Sequence, residues 1–209
     1  MKKDCTKGNR NQYYTGIIQQ QVAELFELAT IVTNKMPLDD FAVFFANSFV
    51  AKAFEDSDSI IILGNSSIEL LAKLFDEEPK NVEVSSSASP EFWVGWVLGY
   101  AQTTLRKSYK TLIKVFPCSE LINYYFPYHE MDINHIIDVF KERLQKYSPL
   151  KEIREKIGLS QDDLSIMTDI PVRTIRAYEQ NKLDIRKAQA DTVYILAKTL
   201  KCSIDYLMY

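Results

Sequence analysis

The stretch from Gly158 to Glu179, GLSQDDLSIMTDIPVRTIRAYE, leaves this chain fewer conformations than any other part of it. Ser160 is an N-cap residue, and Asp162 and Asp163 follow in the first turn, where the positive end of a helix favours carboxylates. Leu164 and Met167 fall at helical spacing and give that helix an inward face. Asp169 stands where the helix must stop, and aspartate tolerates left-handed backbone better than most residues. Ile170 reads as a buried residue inside the turn, and Pro171 suits the first position of a second helix. Ile175 and then Tyr178 or Glu179 repeat at helical spacing, which leaves Val172, Arg173, Arg176 and Ala177 facing outward. The sequence therefore describes two short helices joined by a tight turn.

That pattern is a helix-turn-helix, a motif whose second helix enters the major groove of DNA. The similarity extends over Leu150-Lys-Glu-Ile-Arg, Gly158-Leu-Ser-Gln-Asp-Asp-Leu, Ile170, Thr174-Ile-Arg-Ala-Tyr-Glu, and Leu196-Ala-Lys-Thr-Leu-Lys-Cys-Ser-Ile-Asp-Tyr-Leu. With these pieces in this order, the segment resembles the phage-repressor (Cro-like, lambda repressor-like) family. The resemblance implies a five-helix DNA-binding domain over residues 148–209. Ile170, Ile175, Tyr178, Leu196, Leu200, Ile204 and Leu207 are expected in the core under any reading.

The same resemblance, joined to helix geometry, gives a set of DNA contacts. Gln161 starts the first motif helix, where its side chain and the backbone N–H groups meet a phosphate. Val172 and Arg173 start the second helix; Arg173 suits guanine O6 and N7, and Val172 suits a thymine methyl. Arg176 lies one turn on and reaches a base edge or a flanking phosphate, with Ala177 beside it. Thr174 is a phosphate contact or a residue internal to the helix. Asn181, Lys182, Arg186 and Lys187 then form a basic loop that lies along the DNA backbone in this family, with Gln189 a weaker candidate. Two departures matter. Asp169 replaces the glycine common at the turn, and Val172 and Ala177 stand where many relatives carry polar base-reading side chains. Sequence preference then rests on Arg173, Arg176 and groove shape.

The formal net charge of −3 does not oppose this reading. Residues 148–209 carry ten basic and nine acidic residues, against fifteen and nineteen in residues 1–147. The claim is a basic patch, not a basic protein. Cys5, Cys118 and Cys202 are far apart and show no C-x-x-C spacing, so no zinc site or disulfide framework is expected. The opening Met1-Lys2-Lys3-Asp4-Cys5 has no apolar run after it, and no stretch approaches the length of a membrane span. A cytoplasmic protein without a membrane segment is the expectation.

Upstream, the pattern predicts an all-helical domain over residues 13–147 behind a loose polar arm, 1–12. Ile18, Val22, Leu25, Ala29 and Val32 make one apolar stripe, a core helix or a partner contact. Pro37 opens a helix predicted to run from Leu38 to about Phe54, apolar on most sides and hence central to the domain. Ile60–Leu63 fits a short strand or a helical turn, and Asn65 or Ser66 caps a helix from Ile68 to about Phe75. Glu77–Ala88 reads as a loop. Ser89-Pro90-Glu91 starts a helix on which Phe92, Trp96 and Tyr100 fall four apart with Trp93 beside them. That aromatic face is core, or a docking surface for a partner. Arg106, Lys107, Lys110 and Lys114 are expected on a basic face of the next helix. Pro117 and Pro127 bracket a short helix, and Asp132–Lys146 is amphipathic, with Ile133, Ile136, Ile137, Phe140 and Leu144 inward. Ser148-Pro149 begins the C-terminal domain directly, without a flexible linker.

No catalytic, cofactor or metal site is expected. The chain lacks a Gly-x-Ser-x-Gly elbow, a P-loop, a dinucleotide fingerprint and a His-Glu-x-x-His motif. His129 and His135 lack the spacing to share a metal on one helix face. The function expected is a sequence-specific, double-stranded DNA-binding transcriptional regulator, a repressor acting as a homodimer on its operator. The stretch Phe92–Tyr100, taken with Ile170–Ala190, is further similar to bacterial regulators of the antitoxin type. That similarity implies a cognate toxin as partner, docked on Phe92, Trp93, Trp96 and Tyr100. The alternatives are a protein-interaction module that has lost DNA binding, and a ligand-sensing regulator.

Overall fold

The computed structural model describes residues 7–32, 36–79 and 89–208. All regular structure among them is helical. The chain divides into two compact units, Met1–Lys141 and Glu142–Tyr209, where the sequence pattern placed the break between residues 147 and 148.

The first unit is built on two long helices, α1 (Lys7–Val32) and α6 (Pro90–Leu105), packed along one another. The close approach needs small residues. A Cβ on Gly95 would stand 2.5 Å from the carbonyl oxygen of Val22 and 2.7 Å from Cα of Ala23, and one on Gly99 would stand 2.8 Å from Cα of Gln19. Two glycines four apart therefore let the α6 backbone lie directly on that of α1. Ile18, Val22, Leu25, Phe26, Leu28 and Ala29 are all buried, so α1 is the central helix of this unit. It was expected to bury one stripe only. Its start also corrects the expected arm, because residues from Lys7 are already helical; once nucleated, a helix propagates through residues without an apolar face. Residues 1–6 lie outside the described ones.

The helix expected from Leu38 to Phe54 is two helices, α2 (Leu38–Ala46) and α3 (Phe49–Glu55). Ser48 breaks it by turning to extended backbone and accepting the N–H of Ala51 on its hydroxyl. The break re-aims the aromatics. Phe41, Phe45 and Phe54 are buried with Tyr109 and Phe26 around them, while Val43, Phe44 and Phe49 face outward. Residues Ser59–Gly64 settle as a helix, α4, capped by Asp58, and not as a strand. Next comes α5 (Ser67–Phe75), where Ser66 and Glu69 form the reciprocal capping box. The expected loop from Glu77 has residues 80–88 outside the described ones.

Ser89 caps α6, with Pro90 in its first turn. That helix ends at Arg106 in left-handed backbone, φ 52°, and Ser108 caps α7 (Tyr109–Val115). Arg106 and Lys107 thus belong to the connection, so the expected basic face keeps only Lys110 and Lys114. Between Pro117 and Pro127 the chain makes α8 (Cys118–Leu121), a 3₁₀ turn (Ile122–Tyr124) and α9 (Tyr125–Tyr128). Phe126, directly before Pro127, leaves helical backbone inside α9. In α10 (Asn134–Lys146), Ile136, Ile137 and Phe140 are buried as expected and Leu144 is half-buried, as is Ile133 just before the helix.

The second unit contains α11 (Pro149–Lys156), α12 (Gln161–Thr168), α13 (Val172–Glu179), α14 (Ala190–Thr199) and α15 (Ile204–Met208). Leu150, Leu164, Ile170, Ile175, Leu196, Ala197, Leu200 and Leu207 form its core, with Tyr178 half-buried against it. Ile204, expected inside, is 44% exposed, because the short terminal helix turns only Leu207 fully inward.

Candidate nucleic-acid interface

The turn between α12 and α13 is held by its own side chains. Gly158, φ 75°, takes the left-handed conformation that ends α11. Ser160 accepts the N–H of Asp163, whose carboxylate accepts the backbone N–H and the hydroxyl of Ser160. These bonds hold the Asp163 carboxyl below its ordinary range. Asp169 closes α12 at φ 56°, the left-handed position assigned to it. Thr168 and Ser165, which the sequence pattern passed over, complete the turn. The Thr168 hydroxyl donates to the carbonyl of Leu164 at 2.6 Å, and that of Ser165 donates to the carbonyl of Ile170 at 2.6 Å. Leu164 is buried as expected, but its partner on the inward face is the buried Thr168 and not Met167, which is 57% exposed. On a helix this short the seam runs through Leu164 and the residue four on, and threonine fits there because its hydroxyl is satisfied.

Helix α13 has two faces. Ile175 and Glu179 are buried, whereas Arg173 and Arg176 are exposed and Val172, Thr174 and Ala177 are half-exposed. Pro171 sits at the cap, one position earlier than expected, and Val172 begins the helix. Arg173 has no carboxylate within ion-pair distance among the described residues. Its guanidinium is left to solvent at the leading end of the helix.

Behind this face lies a pair of buried charges. Glu179 accepts Nε of Arg154 on Oε1 at 2.6 Å and Nη2 of Arg154 on Oε2 at 3.0 Å. Arg154 also donates from Nη1 to the carbonyl of Leu159 at 2.6 Å. Burial alone would raise the Glu179 carboxyl, but the hydrogen bonds from Arg154 and Gln161 outweigh it and hold the group below its ordinary range. The hydrogen bonds to Glu179 correspondingly raise Arg154. The sequence pattern offered Glu179 only as an alternative to Tyr178 for the inward position and gave Arg154 no role. The signal was available in principle: an arginine and a glutamate both at inward positions of one small domain can only be buried as a pair.

The remaining expected contacts divide. Lys182 and Lys187 are exposed and make no ion pair among the described residues. Arg186 is held by Asp184, Nε on Oδ1 at 2.9 Å and Nη2 on Oδ2 at 3.0 Å, which offsets its charge locally. Asn181 is committed elsewhere. At φ 54° it ends α13 in left-handed backbone, and its Nδ2 donates to the carbonyls of Gln145 at 3.0 Å and Tyr147 at 2.9 Å. Its donors were expected on DNA; they close the domain instead. Gln161 sits at the head of α12 as expected, half-buried, with Nε2 donating to Oε2 of Glu179 at 2.7 Å.

The geometry of two short helices, a left-handed turn and an outward arginine pair agrees with a helix-turn-helix family model that matches residues 150–207. This segment is a lambda repressor-like helix-turn-helix domain. Its class is DNA-binding and regulates transcription, and α12 and α13 are the two helices of the motif. The comparisons with curated proteins and with solved structures gave no match to the chain.

The helix-turn-helix domain covers none of the first unit, where the aromatic residues singled out above part company. Trp93 is buried, edge-on to Tyr125 with ring centroids 5.8 Å apart, so it belongs to the core and offers nothing to a partner. Phe92 and Trp96 stack at 6.0 Å and, like Tyr100, are half-buried. His129 stacks on Tyr125, and no group of three or more metal-ligating side chains comes together among the described residues. Among them, too, no helix is long and apolar enough to cross a membrane.

Proposed function

We propose that this protein is a transcriptional regulator that recognises a specific sequence of double-stranded DNA through α13. The observation that supports the reading is the division of that helix, with Ile175 and Glu179 locked inward and Arg173 and Arg176 outward. In this reading Arg173 reads a guanine in the major groove, Val172 and Ala177 lie against the bases, Thr174 lies near the backbone, and Lys182 and Lys187 meet phosphates. One such helix reads one half-site, so the active form is a homodimer on an operator whose half-sites repeat about every helical turn of DNA. Occupying that operator represses. The stacked, half-buried Phe92 and Trp96 support a second role for the first unit, docking of a toxin protein; co-expression with a toxic neighbouring reading frame tests it, and continued toxicity refutes it.

The DNA reading is tested by selecting bound duplexes from a random pool with the full chain and titrating the winner across salt. Affinity should fall with salt at roughly one unit of log–log slope per phosphate contact. Arg173→Ala and Arg176→Ala should each weaken the selected duplex by about 1–3 kcal/mol while the fold persists. Unchanged binding by both variants would sink the assignment of α13.

A further inference from the structure

The loop after α13 was expected to lay Lys182, Arg186 and Lys187 along the DNA backbone. One of these cations already has an anion. Arg186 donates from Nε to Oδ1 of Asp184 at 2.9 Å and from Nη2 to Oδ2 at 3.0 Å. Two parallel bonds from one edge of a guanidinium to two oxygens of one anion are also how an arginine takes a phosphate. Asp184 therefore fills the donors that a phosphate would use, and it competes as an intramolecular partner two residues away. The carboxylate is itself tied down. Asp184 caps the 3₁₀ turn Ile185–Lys187, where its Oδ1 also accepts the backbone N–H of Arg186 at 3.1 Å and its carbonyl accepts that of Lys187 at 3.0 Å. Ile185 packs on the core and anchors the turn. The hydrogen bonds from Arg186 hold the Asp184 carboxyl below its ordinary range, so it is charged at neutral pH. An exposed pair of this kind contributes little to folding. Its larger effect is on what the loop presents to a polyanion.

We propose that Asp184 is an internal stand-in for a DNA phosphate, which keeps Arg186 out of the backbone contacts and lowers the sequence-independent part of DNA affinity. The inference rests on the proposed DNA function. Moving Arg186 to a phosphate would break both bonds and leave the Asp184 carboxylate unpaired beside a polyanion. That repulsion cancels most of what the new contact would contribute. Arg186 therefore stays on Asp184 when DNA is bound, and the loop meets the backbone with Lys182 and Lys187 alone. Phosphate contacts strengthen binding to every duplex alike, because they carry no sequence information. With one fewer of them, Arg173 and Arg176 carry a larger share of the binding, and unselected DNA is released sooner.

The test uses the full chain, the selected duplex and an unrelated duplex of equal length. Asp184→Asn removes the charge and keeps a good cap, and Asp184→Ser does the same with a second side chain. Both variants should bind each duplex about 3- to 10-fold tighter, with a salt slope larger by about one, as Arg186 gains a phosphate. Arg186→Ala alone should change either affinity by less than about twofold and leave the slope as it is. Added to Asp184→Asn, it should remove the gain in slope. Equal gains from Asp184→Asn with and without Arg186 would reduce Asp184 to a bystander charge. A slope smaller by about one in Arg186→Ala alone would place Arg186 on a phosphate already. Either result overturns the inference. The pairing itself is read without DNA. Followed by carbon NMR, the Asp184 carboxyl should titrate below its ordinary range in the wild type and move up in Arg186→Ala. Identical titration in the two chains overturns the inference whatever the duplexes do. Intact pairing in a chain that selects no duplex refutes the DNA reading, and the inference with it.

Discussion

The carboxylate of Glu179 and the guanidinium of Arg154 meet in two parallel hydrogen bonds, with the two residues 5% and 7% exposed. They tie α11 to the last residue of α13, so α13 is fixed from behind by charge as well as by Ile175. Neither partner is tolerable alone in that place. Arg154→Ala leaves a buried carboxylate without its counter-charge, and we expect a loss of about 3–5 kcal/mol in urea unfolding of the full chain. The double variant Arg154→Met/Glu179→Leu should cost far less, because two apolar side chains need no partner. Equal losses in the single and double variants would show that packing, and not the pair, sets the stability.

The same carboxyl gives the domain an acid limit. Glu179 titrates below its ordinary range when folded, so its contribution is fully present above the unfolded value of about 4.3 and is lost as pH falls through the folded value. The stability of the domain, read as amide protection in α12 and α13 relative to the unfolded chain at the same pH, should therefore be flat from neutral pH to about 5 and fall below it. In Glu179→Gln the domain starts less stable, and this acid step should shrink. An acid step of the same size in that variant would assign it to other carboxylates.

What the sequence makes legible follows from how local each determinant is. Ser160, Asp169 and Ser89 act on their own backbone within a few residues, and the structure places all three as caps or stops. Periodicity likewise locates the buried face of α10 and of α13. It fails where the deciding partner is distant in sequence. Phe44 and Phe49 look as apolar as Phe41 and Phe45, and only the break at Ser48 decides which of them faces out. Asn181 and Gln161 look alike as polar residues near DNA, yet one is spent on the carbonyls of Gln145 and Tyr147 and the other on Glu179. The Arg173 and Arg176 face was legible because a helix with one buried side exposes the other. The centre of the first unit was not, because the close packing of α1 on α6 depends on two glycines whose neighbours lie more than seventy residues away.

Those glycines give a contrast between positions. At Gly95 and Gly99 an added methyl meets backbone atoms of Val22, Ala23 and Gln19, which cannot swing aside as a side chain would. Gly95→Ala and Gly99→Ala should force α6 away from α1 and cost about 1–3 kcal/mol or more, despite the better helix propensity of alanine. Gly16, within α1, has nothing within 4 Å of the same methyl. Gly16→Ala should instead stabilise by about 0.5–1 kcal/mol through propensity alone. Trp93 and Trp96 both lie on α6, so tryptophan fluorescence during urea unfolding reads all three variants. Stabilisation by Gly95→Ala would refute the close packing.

Asn181 separates a structural role from a DNA contact. Its left-handed backbone is disfavoured for alanine by about 1–2 kcal/mol, and an intramolecular hydrogen bond contributes about 0.5–1.5 kcal/mol net, toward the low end for an exposed side chain. Asn181→Ala should therefore lower stability by about 1–2 kcal/mol. Asn181→Gly keeps the backbone conformation free of the Cβ penalty and loses only the two bonds to Gln145 and Tyr147, so it should lose less. Neither change should alter affinity for the selected duplex by more than about twofold at a temperature where the domain stays folded, since the side chain already spends its donors within the protein. A loss of affinity in both variants, with stability unchanged, would return Asn181 to the DNA surface where the sequence had placed it.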